Sequence, residues 1–345
     1  MIDDLYRTIV VTDHFRYPGI DHPHPDWYKE WHHFAIIAPD VQLILNFSVC
    51  RDTRPTVPPG TLLGRMVLLV RDASGWDGDV DTFQPYEVEL TTGRIDLCMG
   101  HNRVTFGSDG FSISAALENR PVTVRLQLVP VVYPIMRRRT SIGEGSISWL
   151  AIPRLVVQGE VTIGRRVYRL AGASAYHDHN WGNWLWGHDF SWHWGYALPE
   201  TPDNPWSLIF DHLMTGTRNH RLELRLAIWK DAILQRLFLH GEIETHQQGF
   251  FQRREIRKFP RIMTLIAPQT TTDVPRVLSI HAASKDDYLN CVFEAQDVVQ
   301  IAIPNETNLG VTIINEVSGL LTTEGRIKGE SVAIAGSGFF EFLTC

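Results

Sequence analysis

The chain has 345 residues and a formal charge of −7. The length points to two domains rather than one, and the acidic balance argues against a nucleic-acid-binding face, which needs a basic surface. Cys50, Cys98, Cys291 and Cys345 lie far apart with no CxxC, so neither a disulfide framework nor a cysteine zinc site is signalled. No apolar run approaches the roughly 18 residues of a membrane helix. The opening MIDDLYRTIVVTDH has acids where a signal peptide needs bases. The expectation is a soluble, cytoplasmic protein without stable membrane insertion; the oligomeric state stays open.

In chain order, Pro18, Pro23 and Pro25 hold the first segment irregular up to about Trp27. Glu30-Trp31-His32-His33 then enters or pairs with an apolar strand over Val41–Val49. Leu62–Val70 reads as a strand in which Gly64 and Arg65 mark a bulge or an edge. Tyr86–Leu90 alternates. Arg94–Phe106 and Phe111–Leu117 flank the hairpin loop Gly107-Ser108-Asp109-Gly110. Val122–Leu128 alternates cleanly, and Leu155–Ile163 and Val167–Leu170 flank a second hairpin at Gly164-Arg165-Arg166. The second half has the same character. Trp206–Leu213, Arg221–Trp229, Ile233–Ile243, Leu278–His281, Cys291–Ala295, Val311–Val317, Gly319–Glu330 and Gly338–Leu343 all read as strands. No segment keeps a 3.6-residue period over three turns. Short strands with Gly and Asp turns predict an all-β chain of sandwiches or barrels with little helix.

One stretch concentrates chemistry. Ser174–Ala197 reads SAYHDHNWGNWLWGHDFSWHWGYA and holds five of the eleven tryptophans and four of the fifteen histidines. Buried polar groups are costly unless partnered, and apolar walls with a few placed polar groups are what a ligand pocket is made of. If Tyr176–Trp181 is a strand, Tyr176, Asp178 and Asn180 share one face, and His177, His179 and Trp181 the other.

The run Ser148–Gly182, with its Pro-Arg, its hairpin and its Asp-His-Asn-Trp-Gly, resembles the signature of the hydroxyneurosporene synthase (carotenoid 1,2-hydratase) superfamily. Glu30-Trp31-His32-His33 resembles the family's Glu-Trp-Trp-Tyr. Trp192-His193-Trp194 resembles its second Trp-x-Trp, and Gly336-Ser337-Gly338-Phe339-Phe340-Glu341 its Gly-x-Gly-Tyr-x-Glu ending. The resemblance implies two lipocalin-like antiparallel β-barrels, spanning 1–188 and 189–345, with a ligand cavity near their junction. It also implies hydratase or Diels–Alder-type cyclase activity in specialised metabolism, with no metal and no cofactor.

On that frame, protonating an alkene carbon needs a carboxylic acid whose pKa is raised by an apolar pocket. Asp178 is the expected catalytic acid, with Tyr176, Asn180 and Glu30 as supporting groups. Trp31, His33, His177, His179, Trp181, Trp184, Trp186, Trp192 and Trp194 are expected to line the site of an apolar small-molecule substrate, the indoles facing a developing carbocation. The reaction is hydration, isomerisation or cyclisation of an alkene or polyene, on a carotenoid, terpenoid or polyketide skeleton. One rival is a cofactor-free pericyclase working by shape and a hydrogen bond. A second is a non-catalytic lipocalin-like carrier. A third is a metal site in which His177-x-His179 joins His188 or His193.

Overall fold

The computed structural model describes residues 2–17, 24–51, 58, 61–186, 189–200, 203–263, 273–304 and 311–344. Its contacts divide into two compact units, Met1–Trp184 and Leu185–Cys345, against the expected division at 188/189. The chain is all-β, with a single α-helix, Ile2–Thr12, among the described residues. No helix among these residues is long and apolar enough to cross a membrane.

The N-terminal unit is one sheet. Edge to edge it runs through Gly75–Phe83, Leu62–Asp72, Gln42–Arg51, Tyr28–Ile37, Ala173–Asn183, Gly145–Ile163, Val122–Pro130, Gly110–Ala116, Asn102–Gly107, Asp96–Met99 and Val88–Leu90. Every pairing along that path is antiparallel. The sheet curls back on itself, so that Leu62–Asp72 touches Val88–Leu90 and Asp96–Met99. Its concave side is filled by Phe34, Ile36, Leu45, Leu150, Ile152 and their neighbours. Burying side chains of this size stabilises by roughly 1.5–3 kcal/mol each.

The helix carries the β-branched run Ile9-Val10-Val11, which has low helix propensity. Leu5 and Ile9, four residues apart, share one face and sink into this core. Asp3 and Asp4 occupy its first turn, where the helix dipole favours anions. Its end delivers Asp13 and Phe15 into the interior, both fully buried.

The C-terminal unit repeats the plan. Its sheet runs Ile233–Leu239, Arg221–Lys230, Trp206–Thr215, Phe190–Pro199, Glu330–Thr344, Val311–Ile327, Asp287–Pro304, Pro275–Ser284 and Ile243–Phe250. In each unit the last long strand joins the first strand of a four-strand meander to the rest of the sheet. The one parallel pairing among the described residues is the short contact of Arg257–Phe259 with Asp287–Pro304. Phe210, Leu226, Val317, Phe340 and Phe342 lie in this unit's own core.

Several local expectations change. Leu62–Asp72 pairs without a bulge on both sides, so Gly64 and Arg65 mark neither a bulge nor an edge. The stretch read as two strands around Ser318-Gly319 is one, Val311–Ile327. Gly319 serves there as a place of close approach: a Cβ would lie 2.4 Å from the Glu294 carbonyl oxygen and 2.7 Å from the Phe293 ring. Gly182, in the Asp-His-Asn-Trp-Gly run, has φ +154, and a Cβ on it would meet the Ser146 carbonyl oxygen at 2.1 Å, so only glycine fits. Cys50, Cys98 and Cys291 are free thiols; Cys345 lies outside the described residues.

Candidate functional site

The Ala173–Asn183 strand sits centrally in its sheet, between Tyr28–Ile37 and Gly145–Ile163. Register fixes which side chains share a face, since directly opposed residues point the same way. His33 faces Asp178, Trp31 faces Asn180, and Ala35 faces Tyr176; from the other flank Trp149 faces Asn180 and Ala151 faces Asp178. Trp31, His33, Trp149, Tyr176, Asp178 and Asn180 therefore form one patch on the side away from the unit's apolar interior. Asp178 is 6 % exposed, and its Oδ1 accepts a hydrogen bond from Asn180 Nδ2 at 2.6 Å. Burial lowers the His33 pKa to about 3, with His177 adding to the effect, so His33 presents a neutral imidazole beside that carboxyl.

Glu30 is not part of this patch. Its register partner is Trp181, which turns it to the inner face with His177 and His179. The reason is the two-residue period of the strand: Trp31 and Glu30 must point to opposite sides. There Glu30 is fully buried and saturated. It accepts from the Arg16 main-chain N–H at 2.9 and 3.1 Å, from the Tyr17 N–H at 3.1 Å and from the Tyr28 hydroxyl, and it meets His179 Nε2 at 2.8 Å. The far side of the His179 ring meets Asp13 Oδ1 at 2.9 Å, and Asp13 Oδ2 meets His177 Nε2 at 2.9 Å. His177 Nδ1 donates to the His33 carbonyl at 2.8 Å. Burial opposes the charged form of His179, but Asp13 and Glu30 outweigh it and its pKa rises. The Arg16 guanidinium covers Trp181 at 3.6 Å from the ring centroid. His32 lies among these rings, stacked on His179 at 3.9 Å.

The remaining expected residues are divided between the two units. Trp184 follows the strand, fully buried, its ring edge-on to Trp31 at 5.4 Å. Trp186, Trp192 and Trp194 belong to the C-terminal unit. His188 lies outside the described residues, and His193 packs on His212 and Phe342 of the C-terminal unit.

The C-terminal unit holds a second acidic group, formed by the Glu341 of the Gly-x-Gly-Tyr-x-Glu-like ending and by Glu316, to which no sequence pattern pointed. Glu316 and Glu341 are directly opposed on neighbouring strands and hydrogen-bonded to each other, while the Trp192 indole N–H donates to Glu341. Two opposed carboxylates repel unless they share a proton. Burial pushes the Glu341 pKa up to about 7, against the hydrogen bonds from Glu316 and Trp192. A carboxyl that holds its proton more tightly when folded favours the folded state at low pH. That contribution is whole below the ordinary value of 4.5 and is lost as pH rises to about 7. Glu341→Gln is expected to remove this slope. Urea melts of parent and variant across that window should differ in pH dependence by about 3 kcal/mol; parallel profiles would deny the shared proton.

The sequence matches no protein-family model and no curated protein. Solved structures do match along nearly the whole chain. A provisional AttH from Nitrosomonas europaea aligns at TM-score 0.61 and 14 % identity, covering 96 % of this chain and 97 % of its own. Kievitone hydratase from Nectria haematococca aligns at 0.61 and 13 %, covering 98 % and 94 %. CghA, solved with Sch210972, aligns at 0.61 and 12 %, covering 92 % and 89 %. The chain has the fold of these proteins, the two-domain β architecture that the sequence resemblance implies.

Proposed function

We propose that the chain is an enzyme that acts on an apolar small molecule at a carbon–carbon double bond by acid–base chemistry, adding water or rearranging the skeleton. The observation that carries this reading is the pairing of a buried Asp178 with a neutral His33 across two strands, next to an Asn180 that the register sets between Trp31 and Trp149. A carboxyl can deliver a proton to carbon only if its anion is not strongly favoured, which an apolar wall supplies. Asp178 is the acid, and Asn180 fixes one of its oxygens. His33, held uncharged by burial, hydrogen-bonds the water that attacks the cation, and the proton that water loses returns to the Asp178 carboxylate. Tyr176 orients the reacting groups, and the indoles steady positive charge through their π faces. Glu30 acts at one remove, holding the strand and its histidines. The likeness to kievitone hydratase, whose name states a water addition, supports this class of reaction for this fold.

The test is turnover of a panel of acyclic isoprenoid alkenes and linear polyenes in deuterium oxide, followed by mass spectrometry. The expected products are hydrated or rearranged molecules that carry a new carbon-bound deuterium. A rearranged product without deuterium would leave shape alone as the catalyst. Tight binding of these probes with no product would leave a carrier.

A further inference from the structure

The inner histidine cluster leaves buried polar atoms unsatisfied. His177 Nδ1 faces the His33 carbonyl, which can only accept, so that nitrogen carries the hydrogen. The neutral ring then presents a bare lone pair at Nε2, yet Nε2 sits 2.9 Å from an Asp13 oxygen. One proton between them would settle that contact. It would do nothing for His32, which is wholly buried with neither ring nitrogen hydrogen-bonded and with Nδ1 3.9 Å from the other Asp13 oxygen. Buried polar atoms left this way cost about 1–3 kcal/mol each.

We propose that Asp13, His32 and His177 bind one divalent first-row metal cation. Their ligand atoms all lie within 4.8 Å of one another, and a contraction of up to about 1.4 Å brings them to the spacing that tetrahedral bonds of about 2.0–2.2 Å impose. Two imidazoles and one carboxylate are a ligand set used for both zinc and non-haem iron. The surroundings also fit. A ligating histidine ordinarily donates its other N–H to a backbone carbonyl or carboxylate, as His177 does to His33. Asp13 is steadied by His179, which is held in turn by Glu30. The cation would tie the end of the Ile2–Thr12 helix to two adjacent strands, and through the His33 carbonyl it would brace the backbone that carries the His33 side chain.

Because the cluster is fully buried, the metal must be offered during folding. Tag-free protein produced in minimal medium supplemented with zinc, iron or cobalt is expected to carry about one equivalent of metal by elemental analysis. The cobalt form should show visible ligand-field bands of nitrogen–oxygen ligation. His32→Phe keeps the aromatic stack on His179 and Phe15 while removing both nitrogens, and it should lose the metal. Less than a tenth of an equivalent in all three preparations would overturn the proposal, as would undiminished metal in His32→Phe. Should that variant fail to fold, the parent's cobalt spectrum decides: absent bands, or the intense bands of thiolate ligation, would also overturn it.

Discussion

Asp178→Asn is expected to lower turnover about 10²–10⁴-fold, the range over which a positioned general acid contributes, while the fold survives. Asparagine is nearly isosteric and can still meet Asn180, so the 2.6 Å contact is altered rather than emptied. What it cannot do is give up a proton. The variant should bind the alkene panel with parental affinity and lose kcat, because the missing interaction belongs to the transition state. His33→Gln is expected to fall in the same direction by a smaller factor. Near-parental turnover of Asp178→Asn, with no solvent deuterium in the product, would remove the proton-donor role.

The largest stability effect is expected at Arg225. Its Nε donates to Asp211 at 2.7 Å and its guanidinium also meets Glu223 at 2.6 Å, all three side chains being 5–7 % exposed. Arg225→Leu would take from two buried carboxylates the guanidinium that both of them meet. Removing one partner of a buried ion pair costs about 3–5 kcal/mol. For a unit of this size that is a fall in Tm of roughly 10 °C. Adding Asp211→Leu and Glu223→Gln should restore much of it, since the cost lies in the orphaned charges rather than in lost packing. Equal melting of the parent and Arg225→Leu would refute the argument.

The sequence made part of this site legible. A period of two sorts Tyr176, Asp178 and Asn180 from His177, His179 and Trp181, and the structure keeps that sorting. Local pattern could not place Glu30, because its face depends on register with a strand some 150 residues away. Asp13 was invisible for the same reason: it stands 164 residues before His177 and 166 before His179, in a segment that looks like an ordinary polar turn. Glu341 stands out in the sequence only as part of an ending; its meaning needs Glu316 on the neighbouring strand. Pairings across sheets, unlike alternation along strands, leave no mark in a single sequence.

The same long separations bear on how the chain is made. Asp13, Glu30 and the strand Tyr28–Ile37 leave the ribosome first, and the strand that pairs with that edge, Ala173–Asn183, comes last in its unit. At about 5–20 residues per second the nascent meander waits on the order of 10–30 s with one apolar edge unpaired and its histidine partners unsynthesised. A permuted gene that begins translation with Gly145–Asn183 and links residue 184 to the Ile2–Thr12 helix would deliver both sides of that edge together. Its nascent chain should depend less on chaperones, although the folded unit would have the same contacts.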